Sequence, residues 1–255
     1  MTDQLAVAVV GASGRMGSQA CAAVEAADGL RLVGRYDVGD ELGDLGGADV
    51  VVELTVPDAS PDNVAHCVAR GVHCVVGTTG WTPERLARLE ERLAQAPSAR
   101  TGGPVGVLVA PNFAIGAILM MRFAQTAARF YESVEVVELH HPQKVDAPSG
   151  TAARTASLVA AARAEAGLGD VPDATTRDEL GARGALVDGI PVHSVRLRGL
   201  VAHQEVLLGG VGEMLTIRHD SFDRESFMPG VLAGVRGVAD HPGLTVGLEH
   251  YLGLD

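Results

Sequence analysis

Aromatic side chains are scarce in this sequence: one Trp, three Tyr and five Phe among 255 residues. Core packing must therefore rest on Val, Leu, Ala and Ile. Cysteine is scarce too. Cys21, Cys67 and Cys74 are odd in number and show no C-x-x-C spacing, so they point to free thiols in a reducing cytosol rather than to a disulfide framework or a zinc site. Positive charge is outnumbered, with 20 Lys and Arg against 32 Asp and Glu and a formal net charge of −12. That balance excludes a nonspecific binder of nucleic acid or of an anionic membrane surface, although it leaves room for a local positive pocket. No apolar run is long enough to span a bilayer, and Asp3 followed by the short run Leu5–Val10 does not make a signal peptide. A soluble, cytoplasmic protein is expected. What remains is 47% hydrophobic and 20% charged, the make-up of an ordinary globular chain with enough length for one large domain or two modest ones.

The first half alternates β-branched apolar runs with segments of helical period, the pattern of βαβ units around a parallel sheet. Strands are predicted at Leu5–Val10, Leu30–Tyr36, Val50–Val56, Cys74–Val76 and Val105–Ala110, and helices at about Gly14–Ala27, through Ala65 and Val68, and at Pro83–Ala96. Five strands joined by crossovers give a doubly wound, Rossmann-type domain. After Asn112 the pattern changes. Ile115, Leu119, Phe123, Ala127 and Phe130 mark one helix, Val134–Leu139 a strand, and Thr151–Ala166 an alanine-rich helix. Residues 167–190, polar and rich in Gly, Pro and Asp, read as a loop. Strands at Val192–Arg198, Glu205–Leu208 and Glu213–Arg218 follow, with a Gly209-Gly210 turn signal before the third. This is an α+β domain with an open mixed sheet, whose edges and bare face could pair with another subunit. The expected division is residues 1–112 with 221–255 for the dinucleotide domain, and 113–220 for substrate binding and oligomerisation. The tail carries a helix near Arg224–Val238 and an apolar stretch, Leu244–Leu248.

Gly11-Ala12-Ser13-Gly14-Arg15-Met16-Gly17 directly follows the first strand and opens the first helix. Glycines there let the backbone turn tightly and approach a pyrophosphate, whose charge meets the N–H groups of the helix N-terminus. Arg15 could add a cation. An acidic residue at the end of the second strand should hold the adenosine ribose hydroxyls, and Asp37 occupies that place, unless it is simply a solvated loop residue. A carboxylate there favours NADH over NADPH, and Arg35 nearby could soften the preference. Gly77-Thr78-Thr79-Gly80 and Ala110-Pro111-Asn112-Phe113 follow the fourth and fifth strands, where ligands of open α/β sheets bind, although both are also ordinary turn sequences.

The run Glu138-Leu139-His140-His141-Pro142-Gln143-Lys144-Val145-Asp146-Ala147-Pro148-Ser149-Gly150-Thr151-Ala152 concentrates the chemistry. Adjacent histidines in an extended chain point to opposite sides, and no acidic or cysteine partner stands at ligand spacing, so a metal is not expected. A histidine can give or take a proton near neutral pH, and a lysine beside it offers positive charge to a carboxylate. Ser149 as an N-cap, with the N–H groups of Gly150 and Thr151, makes a second anion site. A pocket for two carboxylates and one reducible bond suits this set. The bland alternatives are histidines satisfied by their neighbours and an Asp146–Lys144 salt bridge.

These blocks together with GASGRMG, GTTG, APNFAIG and the late RLRGLVAHQEVLLGGVGEMLTIRHDSFDRESFMPGV resemble the dihydrodipicolinate reductase family along nearly the whole chain, in the family's order. No key residue of that pattern is missing. The resemblance implies that His140 donates or accepts the proton, Lys144 is a second acid, His141 contacts the substrate, and the Gly150 and Thr151 backbone holds a substrate carboxylate. It implies that Gly11–Met16 with Asp37, Gly77–Thr79 and Ala110–Phe113 line NADH or NADPH. It also implies a homotetramer joined through the second domain's sheet, a dinucleotide domain completed by the C-terminal tail, and a small cyclic imine dicarboxylate as substrate. Two other readings share the fold: a two-domain dehydrogenase of amino or keto acids, which would not need Lys144 and the Pro-Ser-Gly-Thr turn, and a dinucleotide-sensing regulator, which the His140, Lys144 pair argues against.

Overall fold

A computed structural model describes residues 4–254; Asp3, with the rest of residues 1–3 and residue 255, lies outside the described residues. The chain forms two compact units. One closes at Ala114 and resumes at Arg224, and the other is Ile115–Asp223.

The discontinuous unit is a parallel sheet built from β1 (Leu5–Val10), β2 (Leu30–Tyr36), β3 (Val50–Glu53), β4 (His73–Val76), β5 (Gly106–Val109) and β11 (Gly243–Val246), in the order β11-β5-β4-β3-β1-β2. Helices α1 (Arg15–Ala26), α2 (Ser60–Val68), α3 (Pro83–Leu93) and α6 (Met228–Gly237) complete it. β3, β4 and β5 are buried at every position, as expected of parallel strands covered on both faces, and this is why their sequences run Val after Val instead of alternating. β3 is shorter than the Val50–Val56 run: it ends at Glu53, Leu54 still donates its N–H to the Val10 carbonyl, and Thr55 and Val56 belong to the loop into α2. The tail contributes a sixth strand, β11, which pairs in parallel with β5 over Gly243–Gly106 to Val246–Val109. Sequence reading saw only an apolar stretch there, because four residues carry too little period to name a strand.

The second unit has a sheet of order β10-β9-β6-β8-β7, with β6 (Ser133–His140), β7 (Ala185–Val187), β8 (Ile190–Arg196), β9 (Ala202–Gly210) and β10 (Glu213–Ser221). β6 and β8 run parallel and the other pairs antiparallel, so the sheet is mixed. Helices α4 (Ile115–Ala127) and α5 (Gly150–Glu165) pack Ala124, Ala128, Ala152, Ala156 and Val159 onto Val134, Val136, Val192, Val206 and Leu208. Small alanines let the helices approach closely. Residues 167–190 are not wholly loop: β7 forms a hairpin with β8 around Asp188-Gly189, both at positive φ (49° and 82°), the geometry an Asp-Gly pair favours. Gly209 and Gly210 are the last residues of β9 and not a turn. The turn into β10 is Val211-Gly212, where Gly212 has φ 79°.

The tail helix is seated on backbone. A Cβ at Gly230 would lie 2.1 Å from the Phe113 carbonyl oxygen. Gly230→Ala is therefore expected to lower stability by about 1–3 kcal/mol through overpacking. A thermal-unfolding midpoint equal to that of the parent protein would show that α6 does not dock as described.

Candidate active site

The dinucleotide half is assembled at the carboxyl ends of the parallel strands. Strand order reverses between β1 and β3, which is where open α/β sheets leave a ligand crevice. Gly11 follows β1 with φ 86°, and a Cβ there would stand 2.5 Å from the Leu54 carbonyl oxygen after β3. A Cβ on Gly17 would stand 1.9 Å from the Gly11 carbonyl oxygen, so the loop folds tightly onto the first turn of α1. Gly14 is the N-cap in extended conformation, and no side chain caps this helix. Ala12 is buried, Met16 half-buried, and Ser13 and Arg15 exposed. The Asp37 carboxylate accepts the Ser13 N–H at 2.9 Å, which ties the end of β2 to the glycine loop. Arg35 is turned to Glu25 of α1 at 2.7 Å and is thereby engaged away from Asp37.

Gly77, Thr78 and Thr79 follow β4. A Cβ at Gly77 would meet Leu54 and Phe113 side chains at 2.6 Å, so this glycine lets three loops close together. Ala110 donates to the Val76 carbonyl, Asn112 accepts the Ala114 N–H through Oδ1, and Phe113 is buried. Pro111 is exposed between them. The Thr78 hydroxyl is buried without a hydrogen-bond partner among the described residues. A loop that admits no Cβ, a helix N-terminus without a side-chain cap and an orphaned hydroxyl suit a dinucleotide, which would supply phosphate and amide groups to all three.

Two residues that hold these loops escaped the sequence reading. Glu53, at the end of β3, is fully buried and accepts from the Ser60 hydroxyl at 2.5 Å, the Thr55 hydroxyl and Asn63. Arg85 of α3 donates to the Pro57 and Gly80 carbonyls at 2.7 and 2.9 Å, joining the loops after β3 and β4.

The second unit carries the histidine and lysine run. His140 is the last residue of β6, with His141, Lys144 and the Ala147–Thr151 turn immediately after it. Residues i and i+2 of a strand share a face. Glu138 and His140 therefore point the same way, and the His140 Nδ1 lies 2.5 Å from the Glu138 carboxylate. Parallel register places Arg196 of β8 beside His140, and its guanidinium donates to both Glu138 oxygens at 2.7 and 2.8 Å. The Ser149 N–H completes the carboxylate's shell at 3.2 Å. Burial by itself would raise the Glu138 carboxyl, but Arg196, Ser194 and His140 together hold it below the usual range. Burial pushes the His140 imidazole down. Glu138 opposes that, and Lys144 and Arg196 add to it, which leaves the ring below its ordinary range.

Ser149 caps α5 by accepting the Ala152 N–H at 3.2 Å, while Gly150 and Thr151 form the first turn of the helix. Lys144 Nζ donates to Asp146 at 2.7 Å, and this pairing holds the Asp146 carboxyl below the usual range. His141 Nδ1 is buried without a hydrogen-bond partner among the described residues. His140, Lys144, His141 and the α5 N-terminus are thus gathered at one end of β6. Glu138, which holds His140 and the start of α5, and Arg196, which holds Glu138, were not singled out from sequence. The signal was there: a carboxylate two residues before a histidine on a predicted strand.

A glycine loop at the reversal of a parallel sheet, in one chain with a histidine, a lysine and a helix N-terminus at a strand end, defines a nicotinamide-dependent oxidoreductase. Residues 5–113 match the family described as dihydrodipicolinate reductase, N-terminus, and residues 116–252 match dihydrodipicolinate reductase, C-terminus. The 4-hydroxy-tetrahydrodipicolinate reductase of Streptomyces griseus is 63% identical over 255 residues, covering 99% of this chain and all of the relative. That of Cutibacterium acnes is 61% identical over 249 residues, covering 98% of this chain and 99% of its own. A solved structure of dipicolinate-bound dihydrodipicolinate reductase from a Paenisporosarcina species superposes with a TM-score of 0.79 at 38% identity, covering 97% of this chain and 99% of that one. The chain belongs to the dihydrodipicolinate reductase family.

Removing the Asp37 carboxylate takes away a charged hydrogen-bonding group of about 1.5–3 kcal/mol. Asp37→Ala is expected to weaken NADH binding by about tenfold or more and NADPH binding less, read by titrating dinucleotide fluorescence. Unchanged NADH affinity would remove Asp37 from the cofactor site.

Proposed function

We propose that this chain reduces 4-hydroxy-tetrahydrodipicolinate to tetrahydrodipicolinate with loss of water, in diaminopimelate and lysine biosynthesis, using NADH or NADPH. The observation that carries the reading is the buried Glu138 carboxylate that accepts from His140 and from the Ser149 N–H at the start of α5, with His141 and Lys144 on the adjoining segment, in a chain 63% identical to a reductase of that name. The dipicolinate in the Paenisporosarcina relative is a planar ring with two carboxylates, the shape this donor set suits.

When bound, the dihydronicotinamide supplies the hydride to the conjugated ring that forms as the substrate loses water. Gly11–Met16, Asp37, Gly77–Thr79 and Ala110–Phe113 hold that dinucleotide. The Gly150 and Thr151 N–H groups receive one substrate carboxylate at the positive end of α5. Ser149 adds its hydroxyl proton, which capping leaves available because the oxygen there acts only as acceptor. Lys144 exchanges Asp146 for a substrate carboxylate or for charge developing on the ring. His141 turns its orphaned Nδ1 to the ligand. His140 transfers the proton that balances the hydride. Preorganised positive groups placed where charge develops supply most of the rate gain.

The outer face of the second unit's sheet carries Val137, Leu139, Val195, Leu207 and Met214 opposite the face covered by α4 and α5, with Met214 68% exposed. This open sheet face, where the apolar residues stand among Glu135, His193, Glu205 and Arg218, supports a homotetramer built through it. Three buried thiols, all free, suit a reducing cytoplasm.

The direct test is NADH and NADPH oxidation with substrate made freshly by the preceding synthase from pyruvate and aspartate semialdehyde. Oxidation should depend on the synthase. Absence of oxidation with either cofactor, by protein that still binds NADH, would discard the reading. Lys144→Ala is expected to cut kcat by about 100-fold or more, as loss of a positioned acid does, with the NADH dissociation constant changed less than about twofold. An equal loss in NADH binding would take Lys144 off the substrate side.

A further inference from the structure

We propose that Glu138 is the positioning residue of the proton-transfer step: it holds His140 in the Nδ1–H tautomer, leaves Nε2 to exchange the proton, and fixes the anion-binding turn of α5 relative to that ring. This deepens the function proposed for the chain and rests on it.

The partners of this one fully buried carboxylate include Arg196 with two hydrogen bonds, His140 Nδ1, the Ser149 N–H and the Ser194 side chain. An ionised carboxylate can only accept, so the His140 nitrogen facing it must carry the hydrogen. A neutral imidazole has one N–H, and Nε2 is then a bare acceptor. The groups facing the ring from the neighbouring elements agree with that assignment. From its own strand His140 faces Glu138, from β8 it faces Arg196, and from the loop after β6 it faces Lys144. Lys144 is held by Asp146, whose main-chain oxygen accepts from Arg196. On β9 the register partner is Ala202, while His203 lies on the opposite face of the sheet and is bonded to Asp220. Arg196 keeps Glu138 ionised despite full burial, since an unpaired buried carboxyl would protonate and become a donor.

The Ser149 contact adds the second half. Ser149 is the N-cap of α5, and its N–H is bound to the carboxylate that orients His140. Proton-transfer group and carboxylate-binding turn are thus referenced to one pair of oxygen atoms. Free rotation of either would misplace the ring against the proton acceptor, and errors of about 1 Å cost on the order of 100-fold in rate.

Glu138→Gln keeps size and shape but replaces one acceptor by a donor. With its amide N–H₂ towards Nδ1, it drives the imidazole into the opposite tautomer. The expected result is a fall in kcat of about 100-fold, with NADH affinity within about twofold of the parent. The pH-rate limb that disappears in His140→Gln should also move. Glu138 raises the basicity of His140, so its loss, with Arg196 left unpaired, shifts that limb to lower pH. A purely structural role would lower the rate equally at all pH values and leave the limb in place, and that outcome overturns the proposal. The tautomer is read independently in the parent protein by histidine ¹⁵N chemical shifts. A bare Nε2 on His140 supports the assignment, and an Nε2–H ring with bare Nδ1 overturns it even where the variant does not fold. Because the tautomer is measured without substrate, it stands or falls separately from turnover of the synthase product, which tests the reaction itself.

Discussion

One buried carboxylate organises the end of β6 in the second unit. Glu138 would be untenable alone at zero exposure, because an ion removed from water costs several kcal/mol unless partners replace the solvent. Its partners are therefore obligatory. The bidentate Arg196 brings β8 to β6, the His140 ring is fixed at the strand's end, and the Ser149 N–H fixes where α5 begins. A substitution at Glu138 or Arg196 strands a buried charge and also frees the His140 ring.

The dinucleotide unit depends on a different constraint, steric rather than electrostatic. Its loops meet so closely that backbone must face backbone: Gly11 against Leu54, Gly17 against Gly11, and Gly77 between Leu54 and Phe113. Glu53 and Arg85 then lock the loops from beneath with hydrogen bonds to hydroxyls and carbonyls. The N–H groups that would meet a pyrophosphate are left to it because no side chain caps α1. The second unit shows the reverse arrangement, with Ser149 capping α5 while the helix start still presents Gly150.

Much of this was legible in the sequence. Strand-to-helix alternation located the parallel sheet, because two-sided burial leaves uninterrupted valine runs, and the glycine spacing located the loop after β1. The His140 to Thr151 run was recognisable by its resemblance to the family's motif, although its Lys144 and Asp146 also form the salt bridge that a plain reading allows. What escaped has physical causes. β7 and β11 are three and four residues long, below the length at which alternation can be seen. The Asp188-Gly189 hairpin signal was buried in a polar stretch, while Gly209-Gly210 imitated a turn from inside a strand. Glu138 and Arg196 lie 58 positions apart, and only the register of β6 on β8 brings them together. Glu53 looked like the end of a valine run; its hydroxyl partners arrive from the loop that follows and the next helix.

The pairing of β11 with β5 also sets an order of events during synthesis. The outer edge of β5 needs residues 243–246 to complete its ladder, and these emerge from the ribosome only after all of Ile115–Asp223 has been made. The inserted unit, with its own core and contiguous sequence, can fold while the dinucleotide sheet still has an open edge at β5. A nascent chain halted before the tail would carry a finished Glu138–His140–Arg196 cluster and a parallel sheet still lacking its edge strand.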